Sequence, residues 1–356
     1  MTPFTYDALP ARVVFGSGTL RQLPAELTRL GCRHALVLST PEQRGTAEMA
    51  GTLLGAASTG IFAGAAMHTP VAVTAAAMND VERLGADSVI SVGGGSATGL
   101  GKAIALRTDL PQIAVPTTYA GSEATPILGE TDGDEKVTQR SLRVLPEVIL
   151  YDVDLTLTLP PGLTVTSGLN AIAHAVEALY AADANPVASM LAEQAISLLG
   201  PALTAIARDP SDKAARSDAL YGAWACGTCL GLVGMSLHHK LCHVLGGLGL
   251  PHAPTHAVML PYAVAYNAAA APDAMRRAAR ALGASDAATG LFALARSLGA
   301  PLSLAALGMH GGDIEHAADL AVANSYPNPA PITREGIRGL LDAAFHGRGP
   351  VQQQQH

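Results

Sequence analysis

The 356-residue chain has little charge, few aromatic side chains and few cysteines. Only 14% of its residues are charged, and its 22 lysines and arginines are scattered without a basic run or a basic-aromatic stripe. Binding to nucleic acid requires a clustered basic surface. With a net formal charge of −7 as well, the sequence predicts no nucleic-acid partner.

The four cysteines do not show the paired spacings of a disulfide-stabilised secreted protein. Cys226 and Cys229 form a C-x-x-C pair, but they lie in an apolar stretch without a second pair that would complete a zinc site. The N-terminal segment does not resemble a signal peptide, and no segment reaches the apolar length of a membrane span. We therefore expect a soluble cytoplasmic protein with reduced thiols and no membrane partner.

The chain does contain two distinct patterns, which meet near residue 158. Before that point, short β-branched runs alternate with Ala- and Leu-rich helical stretches, as in βαβ units. After it, only helical periodicity continues. The prediction is an α/β, Rossmann-like dinucleotide-binding domain at 1–158, an all-α substrate and catalytic domain at 159–350, and a disordered tail at 351–356. Asp132-Gly133 predicts a β-hairpin within the first domain.

Two polar loops follow predicted strands of the first domain. The run DSVISV leads into GGGSATGLGKAIAL, in which glycines let the backbone approach a ligand and the next helix offers free N–H groups to a pyrophosphate. The loop PTTYAGSEAT follows another strand, and both loops are expected at one sheet edge. The predicted cofactor-binding residues are Thr40, Gly93, Gly94, Gly95, Ser96, Thr117, Thr118 and Ser122.

The choice of cofactor depends on the end of the first core strand, HALVLSTPEQ. Dehydrogenases that use only the unphosphorylated cofactor hold its ribose 2′-hydroxyl with a carboxylate near a strand end. The matching position here is Thr40. The sequence therefore predicts that both NADH and NADPH are accepted.

The second domain contains a spaced set of imidazoles. Asn170 and His174 lie four residues apart, as do His239 and His243, and His252 follows a Gly-rich turn. Three imidazoles and one carboxylate would suit a divalent transition metal. An amide is a poor ligand, so Asn170 in the carboxylate position predicts weak metal binding and imidazoles that contact the substrate instead.

These motifs together resemble the iron-containing, group III alcohol dehydrogenase superfamily over nearly the whole chain. The resemblance is carried by GGGS after a strand, PTTYAGSEAT, the N-x-x-x-H helix and the H-x-x-x-H…PH segment. FGSGT at 15–19, HTPV at 68–71, GGGSATGLGKAIAL at 93–106 and YPNPAPIT at 326–333 resemble the maleylacetate reductase branch. The resemblance implies a dehydroquinate synthase-like fold, a homodimer, and an active site in the cleft between the two domains.

The chain departs from the metal-dependent pattern at two positions. By resemblance, the metal-binding aspartate falls on Asn170, and the aspartate of the GGGS-x-x-D loop falls on Gly99. The three histidine ligands of the family match His174, His239 and His252, while a histidine that faces the nicotinamide matches His243. Histidines retained without the acid imply a pocket that works without a metal.

The implied reaction is NAD(P)H-dependent reduction of the carbon–carbon double bond of maleylacetate to 3-oxoadipate, in the degradation of aromatic compounds. Hydride delivery to the carbon β to the ketone generates an enolate, which needs a hydrogen-bond donor and then a proton donor. Our hypothesis assigns these two roles to His243 and His252, in either order. His174 and His239 would shape the carboxylate pocket, and the remaining substrate-contacting candidates are Asn170, Tyr119 and Lys102.

Two alternatives use the same residues differently. A metal-dependent alcohol dehydrogenase of the same superfamily would use the imidazoles as zinc or iron ligands. A non-catalytic protein would bind the dinucleotide through the glycine loop and keep the histidines as core residues. Metal analysis and turnover of an unsaturated dicarboxylate separate these alternatives from the main hypothesis.

Overall fold

The computed structural model describes residues 4–133 and 135–350. The described residues divide into two compact units, one within Ala8–Leu159 and a second that comprises residues 160–350 together with residues 4–7. The division falls one residue after the domain boundary expected from the sequence. The tail at 351–356, for which disorder was predicted, lies outside the described residues.

The first unit is built on a parallel sheet, as the sequence predicts. The strands of this unit are β1 Arg12–Gly16, β2 Ala35–Leu38, β3 Ser58–Phe62, β4 Ser88–Gly93, β5 Gln112–Pro116, β6 Ile127–Asp132, β7 Glu135–Arg140 and β8 Val148–Asp152. Six of them form one sheet in the order β1-β8-β5-β4-β2-β3, and every neighbouring pair is parallel. Strands β6 and β7 form a separate antiparallel hairpin around Gly133, which confirms the prediction from Asp132-Gly133.

Helices cover both faces of this sheet. They are α1 Leu23–Arg29, α2 Arg44–Leu54, α3 Val71–Leu84 and α4 Gly95–Thr108. One apolar cluster joins α1 and α2 to the sheet, and a second joins α3 and α4 to it. Because both faces are covered, the central strands are buried along their whole length, and this explains their continuous apolar runs.

The described residues of the second unit form helices and connecting segments, with no strand among them. Its helices are α5 Pro161–Tyr180, α6 Pro186–Arg208, α7 Lys213–Leu232, α8 Leu237–Gly247, α9 His252–Asn267, α10 Pro272–Leu282, α11 Ala287–Ser297, α12 Asp313–Val322 and α13 Arg334–His346. Helix α5 lies at the centre and packs on α6, α7 and α9. Gly168 permits one of these close approaches, because a Cβ atom there would lie 2.6 Å from Leu203 Cδ2.

Helix α6 corrects the expectation that no segment reaches the apolar length of a membrane span. By length and composition it could cross a membrane, and the α7–α8 pair passes the same test only if its 95° bend is ignored. A core helix of a soluble protein passes this test too. Helix α6 packs on α5 and α7, and its Glu193 forms ion pairs with Arg277 and Arg280 of α10.

Candidate functional site

The glycine loop joins β4 to α4 at the carboxyl edge of the parallel sheet. Gly93 has a φ of 149°, and a Cβ atom there would lie 2.7 Å from Gln43 Oε1. A Cβ atom on Gly94 would lie 2.9 Å from Thr118 Cγ2. The two glycines are therefore required because two side chains from other loops pack directly on this backbone.

The second polar loop lies against the glycine loop. Gly93 pairs with Pro116 in the register of β4 and β5, and the Thr117 N–H donates to the Gly93 carbonyl at 3.1 Å. Gln43 Nε2 donates to Thr117 Oγ1 at 2.8 Å. The structure thus brings the ends of β2, β4 and β5 together, as expected for both loops. Sequence reasoning missed Gln43, although it follows Thr40 by three residues.

Four further positions expected to bind a ligand in this unit lie in different environments. Ser96 is half-buried in the first turn of α4, and Thr40 is half-buried at the start of the turn Pro41–Gln43. Ser122 Oγ is buried and has no hydrogen-bond partner among the described residues. Tyr119 is fully buried in the chain. Its predicted contact with the substrate stays a prediction.

An acidic residue that the sequence interpretation did not use lies next to Thr40. Glu42 is exposed, and its own backbone N–H and the Thr40 hydroxyl hold the pKa of its carboxyl below the usual value. Thr40 matches the position of the ribose-binding carboxylate and carries none, but a carboxylate is present two residues later, at Glu42.

Lys102 is also placed differently from its predicted role. Its side chain is 1% exposed, and Nζ donates to the Ser122, Thr125 and Ile127 carbonyls at 2.6, 2.7 and 2.8 Å and to Thr125 Oγ1 at 3.0 Å. Burial lowers the pKa of Lys102 to about 7, and the carboxylate of Glu123 opposes that shift. With four acceptors around it, the ammonium holds the loop that carries the serine and threonine candidates. The expectation of a substrate contact was wrong.

Steric packing explains the glycine at position 99, where the aspartate of the GGGS-x-x-D loop would fall. A Cβ atom on Gly99 would lie 2.3 Å from Thr69 Oγ1, and Thr69 is itself buried. His68 and Thr69 have φ values of 64° and 48°, in the left-handed region that side-chain-bearing residues seldom adopt. The Thr69 carbonyl accepts from the Thr131 N–H at 3.3 Å. The HTPV segment therefore occupies the space that an aspartate at position 99 would need.

We expect the Gly99→Ala variant to be destabilised by about 1–3 kcal/mol, because the new methyl group overpacks a buried contact that strained backbone holds in place. Thr69→Ala removes the clashing hydroxyl and should restore part of that loss. Thermal unfolding of both single variants and the double variant measures the coupling. Gly45→Ala is the control, because Gly45 lies in α2 with open space around it. If the destabilisation of the double variant equalled the sum of the two single-variant effects, the packing argument would be contradicted.

The helical unit brings the histidines together from three helices. His174 comes from α5, His239 from α8, and His252 and His256 from the first turns of α9. His174 Nδ1 and His239 Nε2 are 2.8 Å apart, the distance of a hydrogen bond. The ring centroids of His239 and His256 are 5.1 Å apart, and those of His252 and His256 are 4.4 Å apart. The predicted clustering of His174, His239 and His252 is therefore present in the fold.

The cluster contains residues that sequence reasoning did not select. Glu177 lies one turn after His174 on α5 and is fully buried, with its Oε2 2.6 Å from His239 Nδ1. His238 is buried, and its Nε2 lies 3.0 Å from the His256 carbonyl oxygen. His256 is 1% exposed, and neither ring nitrogen has a hydrogen-bond partner among the described residues. The four-residue spacing of His252 and His256 was the signal that could have found His256.

Burial keeps the inner imidazoles neutral. It lowers the pKa of His238 to about 4, and it lowers the pKa of His239 and of His256 well below the ordinary value. The nearby imidazoles shift these pKa values in the same direction. By contrast, His243 and His252 are exposed on the surface of the helical unit. The histidines thus divide into a buried group and an exposed pair.

Comparison with known proteins covers both units. The family model described as iron-containing alcohol dehydrogenase matches residues 10–153, and the C-terminal model of the Fe-containing alcohol dehydrogenase family matches residues 164–345. The maleylacetate reductase of Rhizobium sp. (strain MTP-10005) is 56% identical over 98% of this chain and 100% of its own length. The maleylacetate reductase of Burkholderia cepacia is 55% identical with the same coverage.

Solved structures agree with these sequence matches. The crystal structure of maleylacetate reductase from Agrobacterium tumefaciens has a TM-score of 0.95 at 55% identity, covering 98% of this chain and 100% of that one. The crystal structure of an iron-containing alcohol dehydrogenase from Corynebacterium glutamicum has a TM-score of 0.94 at 40% identity, covering 98% of each chain. The similarity extends over the α/β unit and the helical unit alike.

Proposed function

Because the chain belongs to the iron-containing alcohol dehydrogenase family, and within it to the maleylacetate reductases, we propose that it reduces the carbon–carbon double bond of maleylacetate to give 3-oxoadipate. The observation that carries this proposal is the near-full-length similarity to maleylacetate reductases. The histidine cluster adds chemical support to the proposal, because an amide stands in place of the acidic metal ligand.

The nicotinamide cofactor, when bound, supplies the hydride. The glycine loop and the N-terminus of α4 are suited to its pyrophosphate, and the buried Ser122 hydroxyl supplies a further polar group. Both NADH and NADPH are accepted in this proposal, as the sequence predicts. NADH is the better of the two, because Glu42 places a carboxylate two residues from Thr40 and a carboxylate repels a 2′-phosphate.

The exposed imidazoles perform the proton chemistry in this proposal. Reduction at the carbon β to the ketone leaves an enolate, whose oxygen needs a donor and whose α carbon needs a proton. His243 and His252 are the exposed members of the histidine set, and imidazoles can serve in both roles near neutral pH. We assign the two roles to this pair in either order.

The residues present do not fit the metal of the family well. Asn170 Oδ1 is buried without a hydrogen-bond partner among the described residues, and an amide supplies no charge to balance a cation. His174 Nδ1 and His239 Nε2 are hydrogen-bonded at 2.8 Å, whereas two nitrogen ligands of one tetrahedral zinc lie about 3.4 Å apart. Atoms of a different trio, His238, His239 and His256, lie within 4.8 Å of one another, and this trio does not include His174 or Asn170. We therefore propose a reaction without a metal.

We expect full activity after metal removal. The protein is treated with a chelator, checked by elemental analysis and assayed with maleylacetate by loss of nicotinamide absorbance, with NADH and NADPH in parallel. The Asn170→Asp variant is the matched comparison, because it restores an anionic oxygen and should retain zinc through the same treatment. Activity that disappears on chelation and returns with zinc or iron would instead support the metal-dependent alcohol dehydrogenase. A thousandfold preference for either cofactor would contradict the proposed dual use.

We extend the proposal to the assembly of the protein and its location in the cell. The protein acts in the cytoplasm as a homodimer, on a small unsaturated oxo-dicarboxylate. Strand β1 supports the dimer, because it lies at one edge of the six-stranded sheet, where a second chain could add to it.

A further inference from the structure

Glu177 is surrounded by hydrogen-bond donors. Its Oε1 accepts from the His238 backbone N–H at 2.8 Å and from the Tyr180 hydroxyl at 3.4 Å. Its Oε2 accepts from the Ser236 backbone N–H at 3.0 Å and lies 2.6 Å from His239 Nδ1. The carboxyl is fully buried, so these partners replace all of its water. Three donors other than His239 therefore point at the two oxygens, two of them backbone N–H groups.

This arrangement determines the tautomer of His239. Both Glu177 oxygens already accept from backbone N–H groups, so we assign the proton in the short contact to His239 Nδ1. In the neutral ring, Nε2 then has a lone pair. Because His239 Nε2 lies 2.8 Å from His174 Nδ1, the proton in that second bond belongs to His174. The hydrogen bonds therefore run in one direction, from His174 to His239 to Glu177.

We propose that Glu177 is a positioning residue for the reductase reaction, because it fixes the tautomers of His239 and His174 and leaves His174 Nε2 as a hydrogen-bond acceptor. This inference rests on the proposed function. It also refines the assignment of His174 and His239 to a carboxylate pocket. A group that contacts His174 Nε2 must donate a hydrogen bond, so ionised substrate carboxylates bind to other residues.

The tautomers can be measured in the resting protein. In protein labelled with 15N at histidine, the chemical shift of each ring nitrogen shows whether it carries a proton, and the His239 signals are identified by their loss in His239→Asn. We expect both His239 and His174 to be protonated at Nδ1 and unprotonated at Nε2. A proton on Nε2 of His239 would overturn the proposal, whether or not any variant of Glu177 folds.

The Glu177→Gln variant tests the link to turnover. Its amide group places an N–H donor where one oxygen accepted two bonds, so the tautomers of the pair should change or become mixed. We expect kcat to fall by about 10–100-fold, the usual effect of losing an outer hydrogen-bond partner, with KM for NADH changed by no more than about twofold. The control is Glu193→Gln, which removes a surface carboxylate of α6 and should retain wild-type turnover.

Each remaining outcome has one meaning. Wild-type turnover in Glu177→Gln, or lost turnover with unchanged tautomers, would show that the carboxylate only supports the fold, and the proposal would fail. Failure of the wild-type protein to reduce maleylacetate would reject the proposed function instead. The NMR measurement needs no substrate, so the two failures are distinguishable.

Discussion

Glutamine in place of the proton-donating histidine, His243 or His252, is expected to lower kcat for maleylacetate reduction by about 100-fold or more, the range for loss of a general acid. Glutamine preserves a hydrogen-bond donor but cannot transfer a proton at neutral pH. His243 is exposed on α8, so the substitution should leave the core of the helical unit intact. The measurement is steady-state kcat and KM, with the thermal unfolding midpoint as a check on folding.

The His252→Gln variant separates the two roles assigned to the pair. Glutamine can still stabilise an enolate oxygen, so the histidine that donates the proton should show the larger loss of turnover when replaced. His346→Gln is the control, because His346 lies on α13 beside Asp342 and outside the histidine cluster. Near-normal turnover in both His243→Gln and His252→Gln would end the assignment of proton donation to this pair.

Replacing Lys102 with methionine is expected to have the largest effect on stability. Its ammonium contacts four oxygens from a single loop, three of which are backbone carbonyls. Each buried acceptor left without a partner costs about 1–3 kcal/mol, so we expect the α/β unit to lose about 3 kcal/mol or more. Glu123, buried beside it, also loses the cation that lowers its pKa. The thermal unfolding midpoint should therefore fall by several degrees.

The same variant should bind NADH more weakly. The loop that Lys102 holds contains Thr117, Thr118 and Ser122, so its loosening displaces the polar groups expected at the cofactor. Fluorescence titration with NADH measures this effect below the unfolding temperature. Arg83→Met is the control, since Arg83 is an exposed cation paired only with Asp80 in the described contacts, and its loss should cost less than about 1 kcal/mol. Equal behaviour of the two variants would contradict the role given to Lys102.

Most of the α/β architecture could be predicted from the sequence because its signals are local. The strand before Gly93 is a run of apolar residues, and the hairpin at Gly133 is marked by its turn dipeptide. The histidine-bearing helices were recognisable because Asn170 and His174, and likewise His239 and His243, repeat at the helical spacing. Such patterns depend on neighbouring residues alone and need no knowledge of the fold.

The errors concern side chains whose partners come from elsewhere in the fold. Lys102 looked like a cation available to a ligand, because nothing in its own helix shows that a loop 20 to 25 residues later surrounds its ammonium. Tyr119 follows a similar rule, because its place in a polar loop gave no sign that its side chain is fully buried in the folded chain. A side chain's position in a motif does not determine which way it points after packing.

What the sequence by itself determined was the class of the fold, the family, and the segments that carry the glycine loops and the histidines, since these follow from spacing and composition. Tertiary structure alone decided the pairing of Gln43 with Thr117, 74 residues apart, and of Glu177 with His239, 62 residues apart. Hydrogen bonds over such separations form only when packing brings distant elements within about 3 Å. The direction of hydrogen bonding through the histidine cluster is therefore a property of the folded chain.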